Sequence, residues 1–204
     1  MRATHVTAAL RALVVIGAGL LLSSCDSAGG GGAGGGVDNN GVFLFTSSIE
    51  PEDITGSTKD VDLVQGICDP GPPPEVEPFS DHDALVSFGT FTIDNVPTNA
   101  TLIFITNYTI VYTINPNSFP GPVPPSLEVG SGVNIVVPVN GSVDATVSIF
   151  NVQQKVDFVA AGWVPFSEPS YTATYTFRGE DEFGRSVSTS ASTELLLTDF
   201  NNCS

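Results

Sequence analysis

Positive charge is scarce in this sequence: six Lys and Arg stand against 22 Asp and Glu among 204 residues, for a formal net charge of −16. A surface of that sign repels phosphates and anionic headgroups, which argues against a polyanionic partner and excludes nucleic acid. Histidine is also rare, with His82 the one that follows the N-terminal apolar run. No Gly-x-Ser-x-Gly elbow accompanies it, so the usual hydrolase machinery is missing. There is no Asp-x-Asp-x-Asp-Gly calcium loop and no closely spaced Cys pair of the kind structural zinc uses. Long helical periodicity is absent as well. What remains is apolar: 41% hydrophobic residues, 13 Phe and only 14% charged residues. That composition suits one packed domain rather than a disordered acidic tail.

Arg2 and Arg11 precede an apolar run from Ala12 to Leu22, which ends in Ser23, Ser24 and Cys25. The run falls short of the roughly 20 residues a spanning helix needs but fits the ~7–15-residue core of a secretion signal. No later segment is apolar enough to span a bilayer. Leu22-Ser23-Ser24-Cys25 resembles the lipobox of bacterial lipoproteins. The resemblance implies cleavage before Cys25, a diacylglycerol thioether on its sulfur and an anchor in a membrane of the cell envelope. Asp26 resembles an inner-membrane retention signal of enteric bacteria, but sorting rules differ, so the leaflet stays open. Two or three long chains hold far more firmly than one, at ~0.8 kcal/mol per buried CH₂. Removing residues 1–24 takes away Arg2 and Arg11 and no acid, leaving Lys59, Lys155, Arg178 and Arg185 against all 22 acids.

Residues 28–36 are all Gly or Ala, a composition that buries nothing and is costly to order. The segment 25–41 therefore reads as a flexible tether whose 16 residues after Cys25 reach roughly 20–24 Å as a Gly-rich coil.

From Val42 the apolar period is two. Val143, Ala145, Val147 and Ile149 alternate with polar residues, as do Tyr171, Ala173, Tyr175 and Phe177. Leu102, Phe104, Tyr108, Ile110 and Tyr112 read the same way, as do Val133 to Val139, a weaker run from Leu85 to Ile93, and a last segment from Arg185 to Leu197. Val152 to Ala160 is ambiguous, because Val152, Val156 and Val159 also fit one face of a short helix. Gly, Pro and Asn punctuate the intervals.

The stretch from Tyr171 to Arg185 reads as a strand, an acidic Gly-containing turn and a returning strand. Its Tyr171-x-Ala173-x-Tyr175 start resembles the penultimate strand of immunoglobulin-like and fibronectin type III domains, with Ala173 where antibody domains carry a Cys. The expected fold is thus all-β: an antiparallel Ig-like β-sandwich of about seven to nine strands at 42–204, after a cleaved signal peptide at 1–24 and a flexible Gly-rich linker.

Cys68 and Cys203 form an even pair once Cys25 is acylated, which in an oxidising envelope reads as a disulfide. Closing a loop of about 136 residues stabilises by up to roughly 5 kcal/mol. The rival is a metal site of Cys68, Cys203 and His82, which has too few ligands. His82, between Asp81 and Asp83, reads as a solvated loop side chain. The acid pairs Asp81 with Asp83, Glu50 with Glu52, Asp60 with Asp62, Glu75 with Glu77 and Glu180 with Glu182 read as wet, solubilising loops, or as carboxylates for acid–base work or calcium. Trp163, followed by Pro165 and Phe166, is a candidate ligand contact, a platform for a sugar ring, or else a core anchor. The loop from Phe119 to Pro125 either presents a polyproline surface or blunts a sheet edge.

The function expected is a lipid-anchored envelope protein acting as a non-catalytic interaction or structural module. It uses no cofactor and no metal; its membrane contact runs through Cys25 and its partner is a protein or glycan. The alternative is a carbohydrate-binding or carbohydrate-active accessory protein, stabilised by calcium.

Overall fold

The computed structural model describes residues 34–37, 41–53, 56–94, 96–130, 132–164, 169–201 and 203. In chain order its elements are β1 (Gly34–Val37), β2 (Val42–Asp53), β3 (Gly56–Ser57), β4 (Asp60–Asp62), β5 (Ile67–Asp69), β6 (Glu75–Val76), β7 (His82–Thr92), β8 (Leu102–Ile114), β9 (Leu127–Val129), β10 (Ile135–Pro138), β11 (Ser142–Phe150), α1 (Val152–Ala160), β12 (Ser170–Asp181) and β13 (Ser186–Thr198).

Two antiparallel sheets make an all-β sandwich. One runs β2-β7-β11, the other β13-β12-β8-β10. Short strands trim their margins: β3 on β2, β9 on β8, and β4 parallel to the end of β13. β5 and β6 form a separate hairpin.

The alternation read from the sequence explains the layers. Tyr171, Ala173, Tyr175 and Phe177 of β12 point inward, with Thr172, Thr174 and Thr176 between them less buried. Leu44, Val86, Phe88, Val147 and Ile149 belong to the same core from the opposite sheet, where Phe88 meets Phe177 edge-on at 4.8 Å. Each such side chain contributes about 1.5–3 kcal/mol on burial.

In β8 the expected phase breaks. Ile103 and Ile105 are buried rather than Leu102 and Phe104, whereas Tyr108, Ile110 and Tyr112 are buried as expected. The cause is a bulge: Arg178 pairs with Asn107 but Gly179 pairs with Ile105, which leaves Thr106 as the extra residue. One added residue moves every later side chain to the other face. Gly179 makes the approach feasible, since a Cβ there would sit 2.1 Å from the Phe104 carbonyl oxygen.

The Gly-rich segment departs from a tether running to residue 41. Gly34 and Gly35 pair with Ser190 and Thr189 of β13, and Gly36 and Val37 pair with Leu44 and Phe43 of β2. Gly34–Val37 is thus part of the fold, its first two residues serving one sheet and its last two the other.

The ambiguous segment is the helix α1. Its Asn151 side chain accepts from the Gln154 N–H at 2.8 Å, and the Gln154 side chain accepts from the Asn151 N–H at 3.0 Å, a capping box. Its buried residues are Lys155 and Phe158, while Val156 of the expected face is exposed.

The sandwich has two distinct ends. At the hairpin end lie Val42 opposite Thr92, the β10–β11 turn bonded through Asn140 to Thr92, and the β12–β13 turn, whose Glu182 accepts from the N–H groups of Thr101 and Leu102. At the other, capped end, β3 to β6, α1 and the C-terminal segment gather around Asp83 and His82.

Candidate functional site

The polar chemistry is concentrated at the capped end. β7 begins with His82, whose register partner is Phe150, and this pairing draws the imidazole into the interior. Its Nε2 lies 3.1 Å from the Thr58 carbonyl oxygen. A carbonyl only accepts, so Nε2 carries the proton in this contact. Burial, with Lys155 nearby, lowers the His82 pKa from 6.5 to about 4, and the ring is neutral at physiological pH. The expectation of a solvated His82 is therefore corrected.

Lys155 enters from α1 and is only 3% exposed. Its Nζ donates to the Ser80 carbonyl at 2.7 Å and stands 4.8 Å from the centre of the Phe79 ring. Burial lowers its pKa, while Asp62, Asp53 and Asp81 pull the other way and favour the charged amine. Charge attraction with a carbonyl partner gives a buried ammonium a tolerable environment.

Asp62 ends β4, alongside Thr198 of β13. Its Oδ1 accepts from the N–H groups of Val64 at 3.3 Å and Phe200 at 3.2 Å, which ties the 60s loop to the C-terminal segment. Burial is the main cause that raises its pKa from 3.8 to about 6; the two N–H groups oppose that rise, and the charge of Glu77 adds to it. Carboxylate oxygens of Asp62, Glu77 and Asp199 lie within 4.8 Å of one another. Three hard oxygens are half or fewer of the ligands calcium takes.

Asp62 and Glu77 are thus buried, whereas their expected partners Asp60 and Glu75 are exposed. The wet-loop reading holds for one member of each pair and fails for the other. Asp53, Asp62, Pro78, Phe79, His82 and Lys155 line a small cleft of about 10 Å³, room for one water.

Cys68 and Cys203 are joined in a disulfide, with Cα atoms 5.4 Å apart. It fastens β5 to the C-terminal segment beside Glu77. His82 takes no part in it.

Trp163, the proposed sugar platform, is 4% exposed and belongs to the hydrophobic core. Its ring presents no open face, which corrects the ligand-contact reading; its indole N–H has no hydrogen-bond partner among the described residues. Pro165 and Phe166 lie outside the described residues, as does Cys25. Tyr171, the residue that carries the immunoglobulin-like resemblance, donates its hydroxyl to the Pro122 carbonyl at 2.7 Å and so anchors the proline loop. Phe119 and Val123 of that loop are exposed.

Lys155 was not a candidate in the sequence. The capping box of Asn151 and Gln154 was the available signal that its segment is a helix, and only tertiary packing shows which helix face turns inward. Among the described residues no helix is long and apolar enough to cross a membrane. Compared with protein families, curated proteins and solved structures, the chain matches none.

Proposed function

We propose that the chain is a lipid-anchored protein of the bacterial cell envelope whose Ig-like sandwich acts as a non-catalytic interaction or structural module. The lipobox residues Leu22 to Cys25, directly upstream of a strand-built domain, carry the anchor. The sheet partition supports the Ig-like reading. Of the seven main strands in chain order, the first, second and fifth form one sheet, and the third, fourth, sixth and seventh the other. The third strand and the last two share a sheet, as C, F and G do in Ig-like domains, and the fourth strand, β10, joins them.

The observation that carries the non-catalytic reading is the state of the titratable cluster. His82, Lys155 and Asp62 are each engaged with backbone groups around a small cleft with room for one water. Such groups lock loops together; they do not present a proton to an incoming molecule. The burial of Trp163 removes the residue on which the carbohydrate alternative rested.

Metabolic labelling with a clickable palmitate analogue tests the anchor. Label should be lost in Cys25→Ala and the protein should leave the membrane fraction; unchanged labelling sinks the proposal.

A further inference from the structure

The two flanks of the sandwich are finished differently. On one, β1 pairs with both β2 and β13 and joins the two sheets. On the other, among the described residues, β11 ends its sheet, while β9 and β10 lie along the edge of β8 in the opposite sheet.

Along β11 the peptide groups face β7 and the outside in turn. The Thr90 N–H donates to the Gly141 carbonyl at 3.0 Å, and from that pair the register turns the groups of Val143, Ala145 and Val147 toward β7. Those of Ser142, Asp144, Thr146 and Ser148 therefore point away from it. Ser148 is sealed, because its N–H and C=O both bond to the Tyr108 hydroxyl. Ser142, Asp144 and Thr146 are exposed, and their outward N–H and C=O groups have no hydrogen-bond partner among the described residues. No proline interrupts β11, and its one charged side chain is drawn back over β7, where the Asp144 carboxylate accepts from the Ser87 hydroxyl at 2.6 Å. Neither of these common guards of an exposed edge stands over the three residues.

The open flank is acidic. Residues 95–154, which include β8 to β11, contain Glu128 and Asp144 and no Lys or Arg. On the outer face of the sheet that β11 ends, the register sets Asp144 beside Ser87, and Asp83 between Ser148 and Glu52. Burial, and after it the charges of Asp81 and Glu52, raises the Asp83 pKa. The cations of the folded domain lie elsewhere. Lys155 is buried, Lys59 follows β3 on the far side of β2, Arg178 stands on β12 with β8 between it and the flank, and Arg185 is paired with Asp181.

We propose that Ser142 to Thr146 is a docking edge for an extended segment of another protein that carries Lys or Arg at alternate positions and adds to β11 as a further strand. The three outward residues offer about six hydrogen bonds over roughly 14 Å. Basic side chains of the added strand stand across from Asp144 on the outer face, an attractive cross-strand pair. A second copy fits poorly: the antiparallel register that engages all three residues of both chains sets Asp144 against Asp144, a like-charge contact. The inference rests on the reading of the chain as an interaction module and gives that module a site and a partner class.

The test uses the chain from Cys25 onward with Cys25→Ser, so that neither acylation nor a free thiol takes part. The probe is a synthetic peptide matching the 9 residues of β11 in length, with Lys alternating with Thr and Val, followed by amide NMR at low salt. It should shift the amides of Ser142, Asp144 and Thr146 and slow their hydrogen exchange about tenfold or more. The same peptide with Glu for Lys should bind at least about tenfold more weakly. Thr146→Pro removes an outward donor and no bond to β7, and should weaken binding of the Lys peptide about tenfold. Asp144→Asn keeps an oxygen for Ser87 and should weaken it about threefold while flattening its salt dependence. No binding at millimolar peptide, equal binding of the Lys and Glu peptides, or shifts without protection at these three residues overturns the proposal. So does protection of the same amides that grows with protein concentration in the absence of peptide, which would assign the edge to a second copy. Palmitate labelling decides the anchor separately: an unlabelled Cys25 removes the anchor and leaves the peptide result standing.

Discussion

The Tyr108 hydroxyl accepts from the Ser148 N–H at 3.0 Å and donates to the Ser148 carbonyl at 3.1 Å. One phenol on β8 thereby serves both backbone groups of one residue on β11, across the core. Ser148 lies at the point where the pairing of β11 with β7 becomes irregular, between Ser148 and Phe150. The nearby Tyr112 hydroxyl donates to the Ile149 carbonyl in the same stretch. Two tyrosines of one sheet thus replace ladder hydrogen bonds that the other sheet cannot make.

Tyr108→Phe removes the hydroxyl while keeping the ring, and leaves a partly buried N–H and C=O without partners. The expected cost is about 1–3 kcal/mol, read as a lower urea midpoint at unchanged slope. An unchanged midpoint would show that water replaces the hydroxyl without loss.

The capped end makes a signed prediction about pH. Asp62 has its pKa raised to about 6, so the proton it holds in the fold favours the native state, fully below about pH 3.8, and this contribution is lost as pH rises to 6. His82 has its pKa lowered to about 4, so its contribution is present above pH 6.5 and is lost as pH falls through 4. Between those limits the two slopes oppose each other. Asp62→Asn keeps an oxygen for Val64 and Phe200, and its stability should climb more steeply from pH 4 to 6.5 than that of the parent. His82→Gln keeps an N–H for Thr58, and its stability should fall relative to the parent over pH 4 to 6. Urea midpoints at four pH values decide; parallel curves for all three proteins would contradict the assignment.

The Cys68–Cys203 bond closes 135 residues of sequence separation, and its loss frees the C-terminal segment from β5. Cys68→Ser with Cys203→Ser should cost about 2–5 kcal/mol. For a domain of this size that corresponds to a fall in Tm of very roughly 5–15 °C. A Tm insensitive to reductant would mean that β4 and the Asp62 hydrogen bonds alone hold the segment.

The long strands were legible because two-residue alternation is local. The segments around Val143 to Ile149 and Tyr171 to Phe177 show it directly, and both are strands with those residues inward. The phase break at Thr106 was not legible, since a bulge is set by its partner strand and nothing in Leu102 to Tyr112 marks the extra residue. Nor could the polar cluster be read. Asp62 and Glu77 resemble their exposed neighbours Asp60 and Glu75 in sequence, and only the long-range pairing of β4 with β13 and the covering hairpin decides which member of each pair faces inward.

β1 divides its hydrogen bonds between Thr189 and Ser190 on one side and Phe43 and Leu44 on the other. Those partners would otherwise expose unsatisfied peptide groups along one flank of the sandwich, a template for another chain to add to. A chain shortened to start at Val42, with the glycine run removed, loses that seal. The consequence is self-association through the opened flank, so the polyglycine segment guards solubility as much as it provides reach.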